Sequence, residues 1–298
     1  MLNTTNLLGG SNVFDDAAAI KNLKAQPTFG PTTKRNEALK QLIASVPPDA
    51  KKSARGDRAH LEKALKAFTG QGSVKPAPDG LWLVKGMITT LKAYQILGVA
   101  FLRQRENSGR APRGGILADQ MGLGKTLMML ANIVNGRSLQ TSDRRTTLIV
   151  ASPALVKQWR AEIRNRVETI SNTQKNGIGR VLEFNSNAKN SSSDDVALMM
   201  DHDVVLTTYS QVIKSYPKAE YPAQLTTSEQ KLKWWKAYFE EHKGALHRAK
   251  FHRVILDEAQ CIKNHNSLTS YACRELTAKH YWAISGTPIL NNIKEFCE

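Results

Sequence analysis

Asp119-Gln120-Met121-Gly122-Leu123-Gly124-Lys125-Thr126 is the stretch on which the reading of this chain turns. It follows a short apolar run, residues 115–118, and opens a helical pattern over Lys125–Asn135. Glycines at 122 and 124 let backbone N–H groups turn toward an anion, and a helix start adds partial positive charge there. In that setting Lys125 reaches the β- and γ-phosphates of a nucleotide and Thr126 offers its hydroxyl to Mg²⁺. The strict phosphate-loop pattern has glycine where Asp119 stands, so the string alone also reads as a glycine-rich turn.

A second signal lies about 130 residues downstream. Val254-Ile255-Leu256-Asp257-Glu258 is an apolar strand that ends in two carboxylates. A buried strand that delivers acids at its C-terminal end is the metal-holding partner of a phosphate loop. Asp257 would sit in the Mg²⁺ sphere through water, and Glu258 would deprotonate the attacking water. A third signal, Ser285-Gly286-Thr287-Pro288, places hydroxyls just after the strand-like 281–284; alone it reads as a β-turn.

The chain around these signals has α/β texture from Leu81 onward. Strands are expected at 115–118, Thr147–Ala151, 181–184, 204–207, 253–256 and 281–284, with helices at Lys125–Asn135, 153–167 and 268–276. Short Val/Ile/Leu-rich strands alternating with helices imply a mostly parallel sheet flanked by helices. Residues 226–243 read as a helix with Thr226 and Glu229 as its capping box and Gly244 as its stop. Residues 185–195 are polar and read as a loop. The stretch 216–251 mixes lysines with Tyr216, Tyr221, Trp234, Trp235, Tyr238, Phe239 and Phe251. An amphipathic helix packing Trp234, Tyr238 and Trp235 on the body is preferred over a DNA-facing insertion.

Residues 1–80 are rich in proline and read as a basic, largely flexible segment; a short helix is expected at 57–68, and Lys51, Lys52, Arg55 and Arg58 form a basic cluster. Residues 81–298 are then the folded lobe. The 298 residues carry 42 Lys and Arg against 26 Asp and Glu, a net charge of +16, and 41% hydrophobic residues support a real core. Eighteen basic and eight acidic side chains precede Asp119, so the excess sits mostly before the loop. A positive surplus suits a polyanion partner without mapping its track. Cys261, Cys273 and Cys297, with no CxxC spacing, exclude a disulfide framework, and seven scattered histidines give no zinc spacing. No apolar run is long enough to cross a membrane, so no membrane partner is expected, nor a secretory signal at the start.

Together these strings resemble the first ATPase lobe of the Swi/Snf-type (sucrose-nonfermenting) helicase-like family of DNA-dependent ATPases, over roughly residues 81–298, with the DNA-repair branch and its fungal relatives most similar. Leu91-Lys92-Ala93-Tyr94-Gln95 matches the adenine-reading box, Asp119 to Thr126 motif I, and Leu148 to Pro153 with Gln158-Trp159 motif Ia. Thr207-Thr208-Tyr209 matches the TTY segment, Asp257-Glu258-Ala259-Gln260 motif II, and Ser285 to Pro288 with Leu290-Asn291-Asn292 motif III.

The resemblance implies a RecA-like P-loop lobe that uses ATP and Mg²⁺ and moves on double-stranded DNA in chromatin remodelling or repair, in the nucleus. Lys125, Asp257 and Glu258 would be catalytic. Tyr94, Gln95, Asp119, Gln120, Met121, Gly122, Leu123, Gly124, Lys125 and Thr126 would line the nucleotide, and Thr126 and Asp257 would hold the metal. Ser152, Lys157, Thr207 and Thr208 would touch the phosphates of one DNA strand. Gln260, Ser285, Gly286 and Thr287 would couple hydrolysis to movement. Gln120 stands where the family has Glu, and Gln260 where His is commoner. Full activity implies a second RecA-like lobe with arginine fingers, worth roughly 10³ to 10⁵ in rate in related systems. The chain ends shortly after motif III, so it reads as half of a motor. A weak nucleotide- and DNA-binding module and an RNA-directed helicase lobe are the rival readings.

Overall fold

The computed structural model describes residues 34–44, 59–68, 73–137, 145–185 and 193–286. The basic cluster at 51–58, residues 186–192, Thr287 and Cys297 lie outside them. In chain order the described elements are α1 (Arg35–Ala44), α2 (59–65), β1 (Val74–Pro76), β2 (Trp82–Val84), α3 (Ala93–Asn107), β3 (Gly114–Leu117), α4 (Lys125–Asn135) and β4 (Thr147–Ala151). There follow α5 (Pro153–Arg166), β5 (Val181–Glu183), α6 (Ser193–Met200), β6 (Val204–Thr208), α7 (Tyr209–Ser215), α8 (Ser228–His242), α9 (Ala245–Arg248), β7 (Lys250–Asp257), α10 (Leu268–Arg274) and β8 (Thr277–Ile284).

Six strands form one sheet in the order β3-β8-β7-β4-β6-β5, and every neighbouring pair is parallel. The fold is thus an α/β lobe, a parallel sheet with helices on both faces. The reason lies in the strand sequences. Parallel strands bury both faces, and successive side chains point to opposite sides. Ile149 and Ala151 of β4 join one core with Leu206 of β6 and Ile255 of β7, under α3, α4 and α5. Leu148 and Val150 join the other with Val205, Val254 and Phe251, under α7 to α10. The strands of the phosphate loop and of Asp257 are not neighbours, because β8 lies between β3 and β7.

Several expectations need correction. The helix of 226–243 is Ser228–His242, and its capping box is Thr227 with Gln230, one residue later than expected: Gln230 N donates to Thr227 Oγ1 at 3.2 Å and Thr227 N to Gln230 Oε1 at 3.2 Å. Gly244 does not stop that helix in a left-handed turn. It has φ −78° and approaches Ser215 so closely that a Cβ would lie 2.9 Å from the Ser215 Cα. The loop expected over 185–195 already turns helical at Ser193. On α8, Phe239 is the buried aromatic and Trp235 packs beside it, whereas Trp234 and Tyr238, half-buried, stack on one another at the edge of that core, 5.0 Å between ring centroids. Before residue 81, Leu39, Leu61, Leu65, Phe68 and Val74 are buried in the same core as α3 and α4, so the loosely ordered character expected there does not extend to them.

Against the middle of β7 and β8, under α3 and α4, lies a buried charge cluster. Oε1 of Glu106 accepts from Arg253 Nε at 2.6 Å, Asn132 Nδ2 at 2.8 Å and Trp282 Nε1 at 2.8 Å. Its Oε2 accepts from Arg103 Nη1 at 2.6 Å and Arg253 Nη2 at 2.7 Å. Burial would raise this carboxyl, but the guanidiniums of Arg253 and Arg103 hold it well below the usual carboxylate range. His252 and His280 pack against the cluster, their rings 5.0 Å apart. The ligand atoms of Glu106, His252 and His280 lie within 4.8 Å of one another. This is no metal site, because two guanidiniums already take both oxygens of the carboxylate.

Glu106→Gln leaves two buried guanidiniums without a counter-charge, and it should lower unfolding stability by about 3–5 kcal/mol, read by urea denaturation. Burial, reinforced by Arg253, pushes His252 down to about 4 and His280 down to about 3. In the unfolded chain each imidazole titrates near 6.5. Acid therefore protonates the unfolded chain first: stability is full above pH 6.5 and falls as pH drops toward 4. The loss should approach about 1.4 kcal/mol per pH unit per ring, visible as a falling denaturation midpoint between pH 6.5 and 4.

Candidate active site

Apart from Tyr94 and Gln95, which open α3, the singled-out side chains stand at or just after the C-terminal ends of parallel strands, where open α/β sheets bind ligands. The loop after β3 holds Asp119 to Thr126. Gly122 and Gly124 have φ +85° and +84°, the left-handed region that glycine enters without strain. Gly124 is the N-cap of α4 and carries no side chain to cap it, so the first N–H groups of that helix remain available to an anion. The lysine folds back over its own loop: Lys125 Nζ donates to the carbonyl of Asp119 at 2.6 Å and to that of Gln120 at 3.1 Å.

The adenine-reading box packs on the same loop. Gln95 is 7% exposed, donates from Nε2 to the carbonyl of Leu123 at 3.1 Å, and accepts at Oε1 from Lys92 N at 2.9 Å. Tyr94, 40% exposed, donates from its hydroxyl to the same Leu123 carbonyl at 3.4 Å. A Cβ on Gly124 would crowd Gln95 Nε2, so beyond its φ this glycine leaves room for the amide that covers it.

At the end of β7, Asp257 is 8% exposed. Its Oδ2 accepts from the indole Nε1 of Trp159 at 2.7 Å and its Oδ1 from Glu258 N at 3.0 Å. Burial, with the Glu258 charge beside it, pushes the Asp257 carboxyl above its usual range, and those two hydrogen bonds and the Lys125 charge offset only part of that rise. Tyr209 donates its hydroxyl to the Asp257 carbonyl at 2.8 Å. Glu258 itself has φ +51°, a left-handed conformation uncommon for a non-glycine residue. Such strain gathers at working sites.

Gln260 bridges the second and third signals. Its Nε2 donates to Glu258 Oε2 at 2.5 Å, and its Oε1 accepts from Ser285 Oγ at 3.0 Å. A Cβ on Gly286 would lie 2.9 Å from Met121 Cγ and 3.9 Å from Lys125 Nζ. The ends of β3, β7 and β8 therefore meet around one spot. The hydroxyl of Thr126 and the carboxylate of Asp257 are hard oxygen donors, a set that fits Mg²⁺ with several retained waters.

The four residues expected along a DNA strand divide. Ser152 caps α5, accepting from Leu155 N at 3.4 Å, and is exposed, as is Lys157. Thr208 is partly exposed, with its Oγ1 2.8 Å from Ser210 Oγ. Thr207 is the exception: it is 1% exposed and donates to the carbonyl of Phe184 at 3.0 Å, which leaves no hydroxyl for a phosphate. Trp159 and Tyr209 were missed as contributors to the acid site; both appeared only as letters of sequence boxes, and no spacing pairs them with Asp257.

Comparison with known proteins adds to this geometry. A profile of the SNF2-related domain matches residues 94–298. An uncharacterised ATP-dependent helicase of Schizosaccharomyces pombe is 34% identical over 212 residues, covering 71% of this chain and 19% of its own length. The DNA repair protein rad5 of Emericella nidulans is 32% identical over 201 residues, covering 61% of this chain and 15% of its own. The SWI2/SNF2 ATPase core of Sulfolobus solfataricus, solved in complex with double-stranded DNA, is 23% identical with a TM-score of 0.47, covering 70% of this chain and 35% of that one. The chain thus spans less than a fifth of the length of these two curated relatives.

Gly124→Ala and Gly122→Ala both force a left-handed alanine, at about 1–2 kcal/mol. Only the first also meets Gln95, since a Cβ at Gly122 has open space. Urea denaturation should show Gly124→Ala as the more destabilising of the two.

Proposed function

The chain belongs to the SNF2-related family, and on that premise we propose that it is the ATP-binding lobe of a DNA-dependent ATPase that moves along duplex DNA in the nucleus, in chromatin remodelling or repair. The observation that carries this reading is the meeting of Lys125, Asp257 and Gly286 at the ends of β3, β7 and β8.

In this reading the N-terminal N–H groups of α4 bind the phosphates, and Lys125 trades the carbonyls of Asp119 and Gln120 for them. Thr126 and Asp257 would hold Mg²⁺, which would neutralise charge on the phosphates. Glu258 takes the proton of the attacking water, and its carboxylate is aimed by the Gln260 amide. Through Gln260 the carboxylate reaches Ser285, so glutamine here serves as a neutral bridge between the second and third signals. Gln95 and Tyr94 carry the adenine side and grip the Leu123 carbonyl of the loop. Ser152, Lys157 and Thr208 mark the DNA side, so affinity for duplex should fall with salt. A second lobe completes the motor and supplies the arginine finger.

The test is nucleotide binding by the 298-residue chain, followed with a fluorescent ATP analogue. Lys125→Ala should weaken binding at least about tenfold, the weight of one charge-assisted phosphate contact. Glu258→Gln should leave affinity nearly unchanged, yet abolish DNA-stimulated hydrolysis once a second lobe is joined. Equal affinity of Lys125→Ala and the wild-type chain would overturn the assignment of the loop. Stimulation by RNA but not by duplex DNA would favour the RNA-directed alternative.

A further inference from the structure

Trp159 is 1% exposed, and a buried indole N–H needs an acceptor. It takes none from its own helix. Its Nε1 donates instead to Oδ2 of Asp257, at 2.7 Å, across 98 positions of sequence. A hydrogen bond to an ionised carboxylate in a nearly dry site is stronger than a neutral one and fixes the plane of the acceptor. The other oxygen, Oδ1, is fixed by Glu258 N at 3.0 Å. With one donor on each oxygen, the carboxylate has a single orientation, and each oxygen keeps a lone pair for a further partner.

The indole is itself held rigidly. Trp159 belongs to the core under α3, α4 and α5, together with Val156 and Ile163 of its own helix. Metal-ligating carboxylates are oriented in just this way by partners one shell out.

We infer that Trp159 is a positioning residue for the metal-holding carboxylate: its indole N–H presets Asp257 for a divalent cation, while the ring alone serves the core. The inference rests on the reading of Asp257 given above. It assigns to a core tryptophan a part in cation binding that burial alone would not reveal.

Trp159→Phe keeps an aromatic ring in the core and deletes the N–H. Trp282→Phe is the matched control, since its indole N–H is equally buried but donates to Glu106 in the buried charge cluster. The measurement is the Mg²⁺ concentration that half-saturates binding of a fluorescent ATP analogue to the whole chain, with a parallel titration in EDTA. Trp159→Phe should raise the Mg²⁺ requirement about tenfold, as loss of an orienting partner does, and leave metal-free nucleotide affinity within about twofold, a negligible free-energy change. Trp282→Phe should lower the unfolding midpoint without moving the Mg²⁺ requirement. An unchanged Mg²⁺ requirement in Trp159→Phe, or equal shifts in both variants, overturns the inference. Failure of the underlying reading is separate: it shows as Lys125→Ala binding nucleotide as tightly as the wild-type chain.

Discussion

The lobe hangs on one buried carboxylate. Glu106 receives donors from its own helix, from α4, from β7 and from β8, with partners up to 176 positions away in sequence. Two buried guanidiniums around one buried acid are tolerable only because the pairing is close to complete, and removing a member strands the rest in a low-dielectric interior. The cluster therefore fixes how β7 and β8 sit relative to α3 and α4. The acid pair and the serine that couples to it lie a few residues further along those strands: Asp257 follows Arg253 by four positions, and Ser285 follows Trp282 by three. At about 3.3 Å per residue, the charge cluster at mid-strand and the acid pair at the C-terminal end are held roughly 13 Å apart on β7.

That division of labour explains the different character of the two polar centres. The mid-strand one is saturated, with both oxygens of its carboxylate engaged by several donors. The one at the strand ends is only partly so: Asp257 has one donor per oxygen, the first turn of α4 has no capping side chain, and Lys125 rests on two carbonyls that a phosphate would displace. Saturated polar groups stabilise a fold, whereas partly engaged ones are disposed to bind. The left-handed Glu258 belongs to the same pattern, a local strain placed where chemistry is expected.

Much of this was legible in the chain. Val- and Ile-rich runs located all six strands of the large sheet, and a string of boxes located the loop, the acids and the serine. The sequence failed where the answer depends on contacts distant in the chain or on single-residue parity. Strand β7 begins three residues earlier than its apolar run, because Phe251 buries its ring in the core and the polar residues flanking it, Lys250 and His252, continue the strand through their backbone. Thr207 and Thr208 are identical letters, yet β6 is buried through Thr207 and emerges only at its last residue, Thr208. Thr226 with Glu229 and Thr227 with Gln230 are overlapping capping boxes, and only the backbone chooses between them. The leucines of α1 and α2 are too sparse to announce a core position, and the Glu106 cluster has no local signature at all.

The placement of Arg253 and Asp257 on one strand and one face has a further meaning. A β7 paired one residue out of register would turn every side chain to the opposite face. It would carry Asp257 away from Trp159, and at the same moment pull Arg253 from Glu106 and strand a guanidinium without its counter-charge. The misassembled lobe is thereby too unstable to persist. The core proofreads the site: a molecule that stays folded has, by that fact alone, its acids where they belong.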